Sequence, residues 1–187
     1  MKQKRIFSLL LAAVLAFSLV GCGAASSAPA RDLDYGQILH EARAAEDNEY
    51  YLILTNDKSG EGTYAAIDGY ADELTADDLT GTADMSFPML NITPEDVTNY
   101  AITLSMMNIR VYGIAIVMPA EGRSEAVQEG FQAYIDSQKM SMEHYLADQY
   151  AIAQQARVEV AESGEVVLVC CETADTVMDN ILTALKG

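Results

Sequence analysis

Two consecutive strand–strand–helix units constrain the fold of this chain most strongly. In the first, residues 99–105 and 111–118 have the composition of strands, and an amphipathic helix is expected over residues 124–146. In the second, residues 156–161 and 166–171 read as strands, and Thr173 is placed to cap a last helix. We therefore predict an α+β fold, an antiparallel sheet of about four strands with two amphipathic helices packed on one face. The order fits an internal duplication, or simply a common arrangement.

The segment before these units predicts an N-terminal helix and a hairpin. Asp32 or Asp34 can cap a helix that ends near residues 46–48, and residues 50–55 and 63–67 can pair as strands around a turn-rich loop. Residues 68–90 have no clear pattern, although residues 71–79 could be helical. Thr93 and Pro94 open a short helical turn before the first strand of the first unit.

The N-terminal segment has the pattern of an export signal with a processing site. Lys2, Lys4 and Arg5 precede an apolar run over residues 6–20, which ends in the small residue Gly21 and Cys22. The motif resembles a lipoprotein processing site, so we predict a signal peptide over residues 1–21, cleavage between Gly21 and Cys22, and a diacylglyceryl group on the Cys22 thiol. The alternative, an uncleaved membrane helix, is disfavoured because the run is shorter than the ~20 residues that span a bilayer.

This interpretation places the domain outside the cytoplasm, held to the cell membrane by its lipid. Residues 22–31 would form the lipidated cysteine and a flexible tether, and residues 32–187 a single extracytoplasmic domain. The formal charge is −17, and loss of residues 1–21 would remove three positive charges and no acidic ones, leaving about −20. Such a chain is repelled by nucleic acid and by anionic headgroups, so the lipid would have to supply the attachment.

Few residues qualify as candidates for site chemistry. Adjacent cysteines, Cys170 and Cys171, are more consistent with free thiols than with a strained vicinal disulfide. Residues 57–68 partly match a calcium loop, but a hairpin turn accounts for them better. We predict no catalytic residue, cofactor or metal ligand.

The candidate binding surface lies between the two strands of the first unit. It comprises Met106, Met107, Asn108 and Tyr112, because methionines suit adaptable binding surfaces. We therefore favour a non-catalytic binding or interaction module at the cell envelope, whose partner is an unknown envelope protein or ligand. The alternatives are an envelope hydrolase that uses paired carboxylates, and a solute-binding or metal-ion-binding lipoprotein.

Three segments, residues 93–100, 105–109 and 145–150, resemble domain-of-unknown-function family 4358. The likeness covers about residues 85–186. It implies an uncharacterised lipoprotein of Gram-positive, often gut, bacteria, and it carries no catalytic residues. The chain departs from the family pattern at Ala147, where proline is frequent, and at Gly113, where glutamate is frequent.

Overall fold

A computed structural model describes residues 33–60 and 62–187. This part of the chain contains six α-helices and six strands, together with two short 3₁₀ turns, Ala71–Glu73 and Pro94–Asp96. In chain order they are α1 (Tyr35–Ala42), α2 (Asp47–Tyr50), β1 (Ile53–Asn56), β2 (Tyr64–Ile67), α3 (Ala76–Met89), β3 (Val97–Leu104), β4 (Gly113–Pro119), α4 (Ser124–Met142), α5 (Ala147–Gln154), β5 (Arg157–Val160), β6 (Val166–Cys170) and α6 (Ala174–Lys186).

Within the described residues, the six strands form one antiparallel sheet in the order β2-β1-β3-β4-β6-β5. The α+β class and the hairpin are confirmed, but the prediction of about four strands is wrong. The hairpin of β1 and β2 joins the same sheet, since Leu54 of β1 pairs with Ile102 of β3. Ile53 and Leu54 are buried on opposite faces of the sheet, so β1 needs cover on both sides.

The prediction that both amphipathic helices pack on one face is also wrong. The core on one face contains buried residues of α3, α4 and α5, whereas the core on the other contains buried residues of α1 and α6. Strand β4 explains the difference, because Ala115 and Val117 enter the first core while Ile114 and Ile116 enter the second. A strand that is apolar on both sides requires a layer of helices on each face.

The positions of α4 and α6 test whether the two strand–strand–helix units are related by symmetry. The antiparallel neighbours β4 and β6 belong to different strand–strand–helix units. A two-fold axis that exchanges two antiparallel neighbours runs perpendicular to the sheet, and it leaves each face where it is. Units related by that axis would carry their helices on the same face. Helices α4 and α6 lie on opposite faces, so this symmetry does not relate the two units.

The segment that had no clear pattern contains α3, which begins with a capping box. The Asp78 carboxylate accepts hydrogen bonds from the Thr75 backbone N–H at 2.9 Å and from the Thr75 hydroxyl at 2.6 Å, and the Asp78 N–H donates back to that hydroxyl. Gly81 and Pro88 suggest breaks in the sequence. However, Gly81 lies in an exposed turn with open space around it, and Pro88 comes in the last turn.

Gly113, the first residue of β4, packs directly against α4. A Cβ atom there would lie 2.5 Å from the hydroxyl oxygen of Tyr134, which is buried and donates a hydrogen bond to the backbone oxygen of Tyr112. This contact leaves no room for a side chain, so a glutamate at this position would require Tyr134 to move.

Candidate functional site

An open groove of about 190 Å³ lies on the face of the sheet that carries α3, and we call it the apolar groove. Its floor is made by side chains of β3 and of the segment that runs into β1. Its walls come from α2, α3, the turn after β2 and the loop after β3. The lining residues are Tyr50, Tyr51, Leu52, Leu54, Tyr70, Thr82, Met85, Ser86, Ile102, Leu104, Ser105, Met106 and Met107.

The walls of the apolar groove hold five large apolar side chains that are largely exposed. The exposed fraction is 71% for Tyr50, 57% for Met107, 53% for Met85, 49% for Tyr70 and 45% for Met106. Single exposed apolar residues are normal on a protein surface, whereas several around one groove make that groove a candidate contact site. Methionine side chains are flexible and polarizable, so these walls can adapt to what they contact.

The loop that carries Met106 and Met107 is held by local hydrogen bonds. The Ser105 N–H donates to the Tyr112 backbone oxygen at 2.9 Å, and the Met107 N–H donates to the Ser105 hydroxyl at 3.2 Å. The Arg110 N–H donates to the Met107 oxygen at 3.1 Å. These three N–H groups are thus satisfied within the loop and its flanking strands, while Met106 and Met107 are exposed.

A buried arginine holds the wall of the apolar groove that contains Tyr50. Arg43 follows α1, and its backbone is extended there, so the helix ends earlier than predicted and the side chain turns inward. Its guanidinium donates to the Tyr51 backbone oxygen at 2.7 Å and to the Asp68 carboxylate at 2.9 Å. It also donates to Asn48 at 2.6 Å and to the Thr103 hydroxyl at 3.0 Å. These bonds fix the backbone next to Tyr50.

Asp68 is also contacted by His40, and it lies two residues before Tyr70, the second tyrosine in the walls of the groove. The Nδ1 atom of His40 lies 2.8 Å from both carboxylate oxygens of Asp68. The backbone of Asp68 has φ of +66°, a left-handed conformation that aspartate tolerates better than most residues. Tyr70 follows two residues later, so the position of this wall depends on the Arg43–Asp68 contact.

The structure brings together two of the four residues of the candidate binding surface. Met106 and Met107 line the apolar groove, and Asn108 is exposed on the same loop without lining it. Tyr112 is buried on the opposite face of the sheet, where its ring stacks on Tyr51 with centroids 4.0 Å apart. Its hydroxyl accepts a hydrogen bond from Arg43 at 3.4 Å.

The sequence does not single out Tyr50, Tyr70 and Met85 as groove residues. They belong to three segments that come together only through the sheet. The one available signal was the Thr75–Asp78 capping box, which predicts a helix start and so would have placed Met85 on a helix with Thr82 and Asp78 at helical spacing.

A second opening of about 520 Å³ lies where α2, α5 and the end of β6 approach one another. Charged residues line it, unlike the apolar groove, and we call it the polar cavity. Gln149 of α5 is buried, and its side-chain oxygen accepts a hydrogen bond from the Val111 N–H at 2.8 Å. The residues that line the polar cavity are Ala44, Asp47, Arg110, Val111, Tyr112, Asp148, Gln149, Ala151, Ile152, Gln155, Cys171, Glu172 and Thr173.

Two carboxylates of the polar cavity have pKa values displaced in opposite directions. Burial raises the pKa of Asp47, and a hydrogen bond from Tyr112 and the nearby charges of Arg43 and Arg110 offset part of that effect. Hydrogen bonds from Gln149 lower the pKa of Asp148. Two such groups in one cavity are an arrangement found in acid–base catalysis.

Both predicted free cysteines are thiols in the structure, and they lie in different cores. Cys170 is buried with α3 and α4, and Cys171 with α1 and α6. Burial raises the pKa of Cys170 to about 12, with a further contribution from Cys171. A thiol in that environment is protonated and a weak nucleophile, so neither its burial nor its charge state suits it for catalysis.

The part of the chain that the structure describes contains no group of three or more His, Cys, Asp or Glu side chains that could hold a metal ion. The partial calcium loop is a hairpin turn, as predicted. Its Asp57 carboxylate accepts from the N–H groups of Ser59 at 2.7 Å and Gly62 at 2.6 Å, while Asp68 contacts Arg43 instead. No described helix is long and apolar enough to cross a membrane. The predicted lipidation and cleavage site, Gly21 and Cys22, lies outside the described residues.

Comparison with known proteins identifies one relationship. A family model described as Domain of unknown function (DUF4358) matches residues 73–171, more than half of the chain. The match runs from the turn before α3 to the end of β6, so it includes the Met106–Met107 loop and excludes the segments that carry Tyr50 and Tyr70. No curated protein and no solved structure is significantly similar to the chain.

Proposed function

Because the chain belongs to the DUF4358 family of domains of unknown function, we propose its role from its geometry: a non-catalytic binding module that docks a partner in the apolar groove. The observation that carries this proposal is the convergence of Tyr50, Tyr70, Met85, Met106 and Met107 on one groove with their side chains largely exposed. Burial of such a surface against a partner contributes about 25 cal/mol for each Å² of apolar area.

The cellular setting is part of the same proposal. The export signal and Cys22 suggest attachment to the extracytoplasmic face of the cell membrane by a diacylglyceryl group, with residues 23–31 as a tether. The domain would then meet its partner at the cell envelope. Its negative charge opposes attachment to anionic lipid, which supports an anchor that works through acyl chains.

Site-specific photocrosslinking in intact cells tests the docking role. A photoreactive residue in place of Met107 should form a discrete adduct, whereas one in place of Met140, which is also exposed but lies outside the groove, should not. Excess unsubstituted chain should compete for the adduct, and excess chain carrying Met85→Ser and Met107→Ser should compete poorly. Equal adducts from both positions, or equal competition by both chains, would remove the basis for the proposal.

A second candidate is an envelope hydrolase that uses Asp47 and Asp148 as its acid–base pair. Both carboxylates line the polar cavity, and their pKa values are displaced in opposite directions. Assays with chromogenic glycosides and peptides decide this case. Turnover that Asp47→Asn and Asp148→Asn each abolish would favour hydrolysis, and turnover that persists in both variants would exclude this pair.

A further inference from the structure

We propose that the apolar groove takes a cationic peptide segment, in which bulky apolar residues are flanked by lysine or arginine. This inference rests on the docking role proposed above and adds the chemistry of the partner. The apolar side chains of the segment occupy the groove, and its positive charges pair with carboxylates around the opening.

The size of the apolar groove favours a peptide over a small molecule. Its volume of about 190 Å³ is below the roughly 300–1,000 Å³ of pockets that enclose small ligands. Tyr50 and Met107 are more than half exposed, so a ligand confined to the groove would leave most of their surface in water. A segment that fills the groove and extends over both walls covers that surface.

Acidic residues lie close in sequence to lining residues, or one helical turn away from them, on three of the walls. Glu49 precedes Tyr50 on α2, and Asp72 and Glu73 follow Tyr70. On α3, Asp78 lies on the same helical stripe as the lining residues Thr82 and Met85. All four residues are exposed. The carboxylates of Glu49, Asp72 and Glu73 are available to a partner, whereas that of Asp78 also accepts hydrogen bonds from Thr75. We call these four residues the acidic rim.

Basic residues are missing from the sequence that builds most of the groove. Residues 59–109 contain nine acidic residues and no lysine or arginine. The nearest arginines in the sequence have other contacts. Arg43 makes buried hydrogen bonds to Tyr51 and Asp68, and Arg110 lines the polar cavity. The segments that build the groove therefore carry a net negative charge, which attracts positive segments and repels acidic peptides and anionic lipid.

Three peptides of about seven residues separate the contributions. The first has a central Leu-Tyr-Leu flanked by lysine pairs, the second has the same centre flanked by glutamate pairs, and the third has lysine pairs around a Ser-Gly-Ser centre. Binding to the full chain in phosphatidylcholine nanodiscs is followed by fluorescence anisotropy, with empty nanodiscs as the blank. We expect the first peptide to bind most tightly and its affinity to fall with salt.

Two pairs of matched variants locate the binding. Met85→Ser with Met107→Ser should weaken the first peptide about tenfold, and the exposed control Met140→Ser should change its affinity less than about twofold. Neutralising three of the four carboxylates of the acidic rim, with the capping residue Asp78 left in place, should weaken binding of the first peptide about fivefold or more, while neutralising three exposed carboxylates on α4 should not. The rim variant is Glu49→Gln, Asp72→Asn, Glu73→Gln, and the α4 variant is Glu125→Gln, Glu129→Gln, Asp136→Asn.

The outcomes distinguish the two proposals. If the glutamate-flanked peptide binds as well as the lysine-flanked one and the methionine variant weakens both, the groove is a docking site but its partner is not cationic. If the α4 variant weakens binding as much as the rim variant, attraction to the overall charge explains the result and this inference fails. If the methionine variant changes nothing, the docking role fails as well. Retention on phosphatidylglycerol vesicles that requires Met107 would assign the groove to lipid instead.

Discussion

The Nη2 atom of Arg43 donates to Oδ2 of Asp68 at 2.9 Å, at a position where the arginine side chain has no exposed surface. This contact joins the end of α1 to the turn that leads into Tyr70. One buried ion pair therefore connects the core beneath α1 with a wall of the apolar groove on the other face of the sheet. Removal of Asp68 leaves a buried guanidinium without its ion-pair partner, and removal of Arg43 leaves the Asp68 carboxylate with His40 as its remaining side-chain contact.

Replacement of Arg43 should destabilise the chain far more than replacement of an exposed arginine. We expect Arg43→Gln to lower the free energy of unfolding by about 3–5 kcal/mol, because Asp68 loses its buried partner. Arg157→Gln is the matched control, since Arg157 pairs with Glu159 and Asp175 near solvent and should contribute about 0–1 kcal/mol. Denaturant titration followed by circular dichroism measures both. Equal losses for the two variants would contradict the assigned role of Arg43.

Two helical glycines should respond to alanine with opposite signs. Alanine favours a helix interior by about 1 kcal/mol over glycine. A Cβ atom at Gly81 of α3 would meet no neighbouring atom within 4 Å, so Gly81→Ala should stabilise the chain. Gly130 of α4 faces the backbone oxygens of Leu90 and Asn91, each 2.8 Å from a built Cβ. Gly130→Ala should therefore destabilise it, by about 1–3 kcal/mol. Thermal unfolding measures whether each variant is more or less stable than the unsubstituted chain. Midpoints that shift in the same direction for both variants would contradict the packing described for Gly81 and Gly130.

Asp96 should contribute stability that depends on pH. Burial raises the pKa of its carboxyl, but hydrogen bonds from Thr93 and Arg123 outweigh burial and hold the pKa below its usual range. A depressed folded-state pKa gives stability that is present above the unfolded-state pKa of about 3.9 and is lost as the pH falls through the folded-state pKa. We expect Asp96→Asn to cost about 1 kcal/mol near neutral pH and progressively less in acid.

Denaturant titrations from neutral pH into acid measure how the stability cost of Asp96→Asn depends on pH. Asp136→Asn is the control, since Asp136 is exposed on α4 and its loss should leave the stability nearly unchanged at every pH. A deficit for Asp96→Asn that stays constant from neutral pH into acid would argue against a depressed pKa.

Cys22 should be the site of acylation. We expect Cys22→Ala to abolish labelling by a clickable fatty-acid probe and to leave the precursor unprocessed, because the thiol is the acceptor. Cys170→Ala is the matched control, since the Cys170 thiol is buried and protonated, and it should keep both labelling and processing. Labelling that persists in Cys22→Ala would refute the predicted anchor.

Much of the fold follows from local pattern. The alternation in β5, the apolar strands β4 and β6 and the amphipathic helices α4 and α6 all appear in the sequence, because burial of one face imposes a period on the chain. The layer arrangement does not appear as directly. A fully apolar strand needs cover on both faces, but which helix covers which face depends on α3 and α5. The helix expected over residues 71–79 overlapped only the start of α3, and α5 was missed.

The candidate site was less predictable for a related reason. Met106 and Met107 follow one another on a loop whose position between two strands is visible in the sequence. Tyr50 and Tyr70 reach the same groove from segments that only sheet pairing and the Arg43–Asp68 contact bring together. Tyr112 was misplaced because alternation along the chain near β4 sends it to the opposite face from the groove.

The adjacent thiols of Cys170 and Cys171 give the chain two built-in reporters. Each sits in a different hydrophobic layer, so each becomes accessible to an alkylating reagent only when its own layer opens. Pulsed alkylation resolved by mass spectrometry would thus time the opening of the two layers independently within one molecule. A partner that seals the apolar groove should slow modification of Cys170, whose layer includes the groove floor, and leave the rate at Cys171 unaltered.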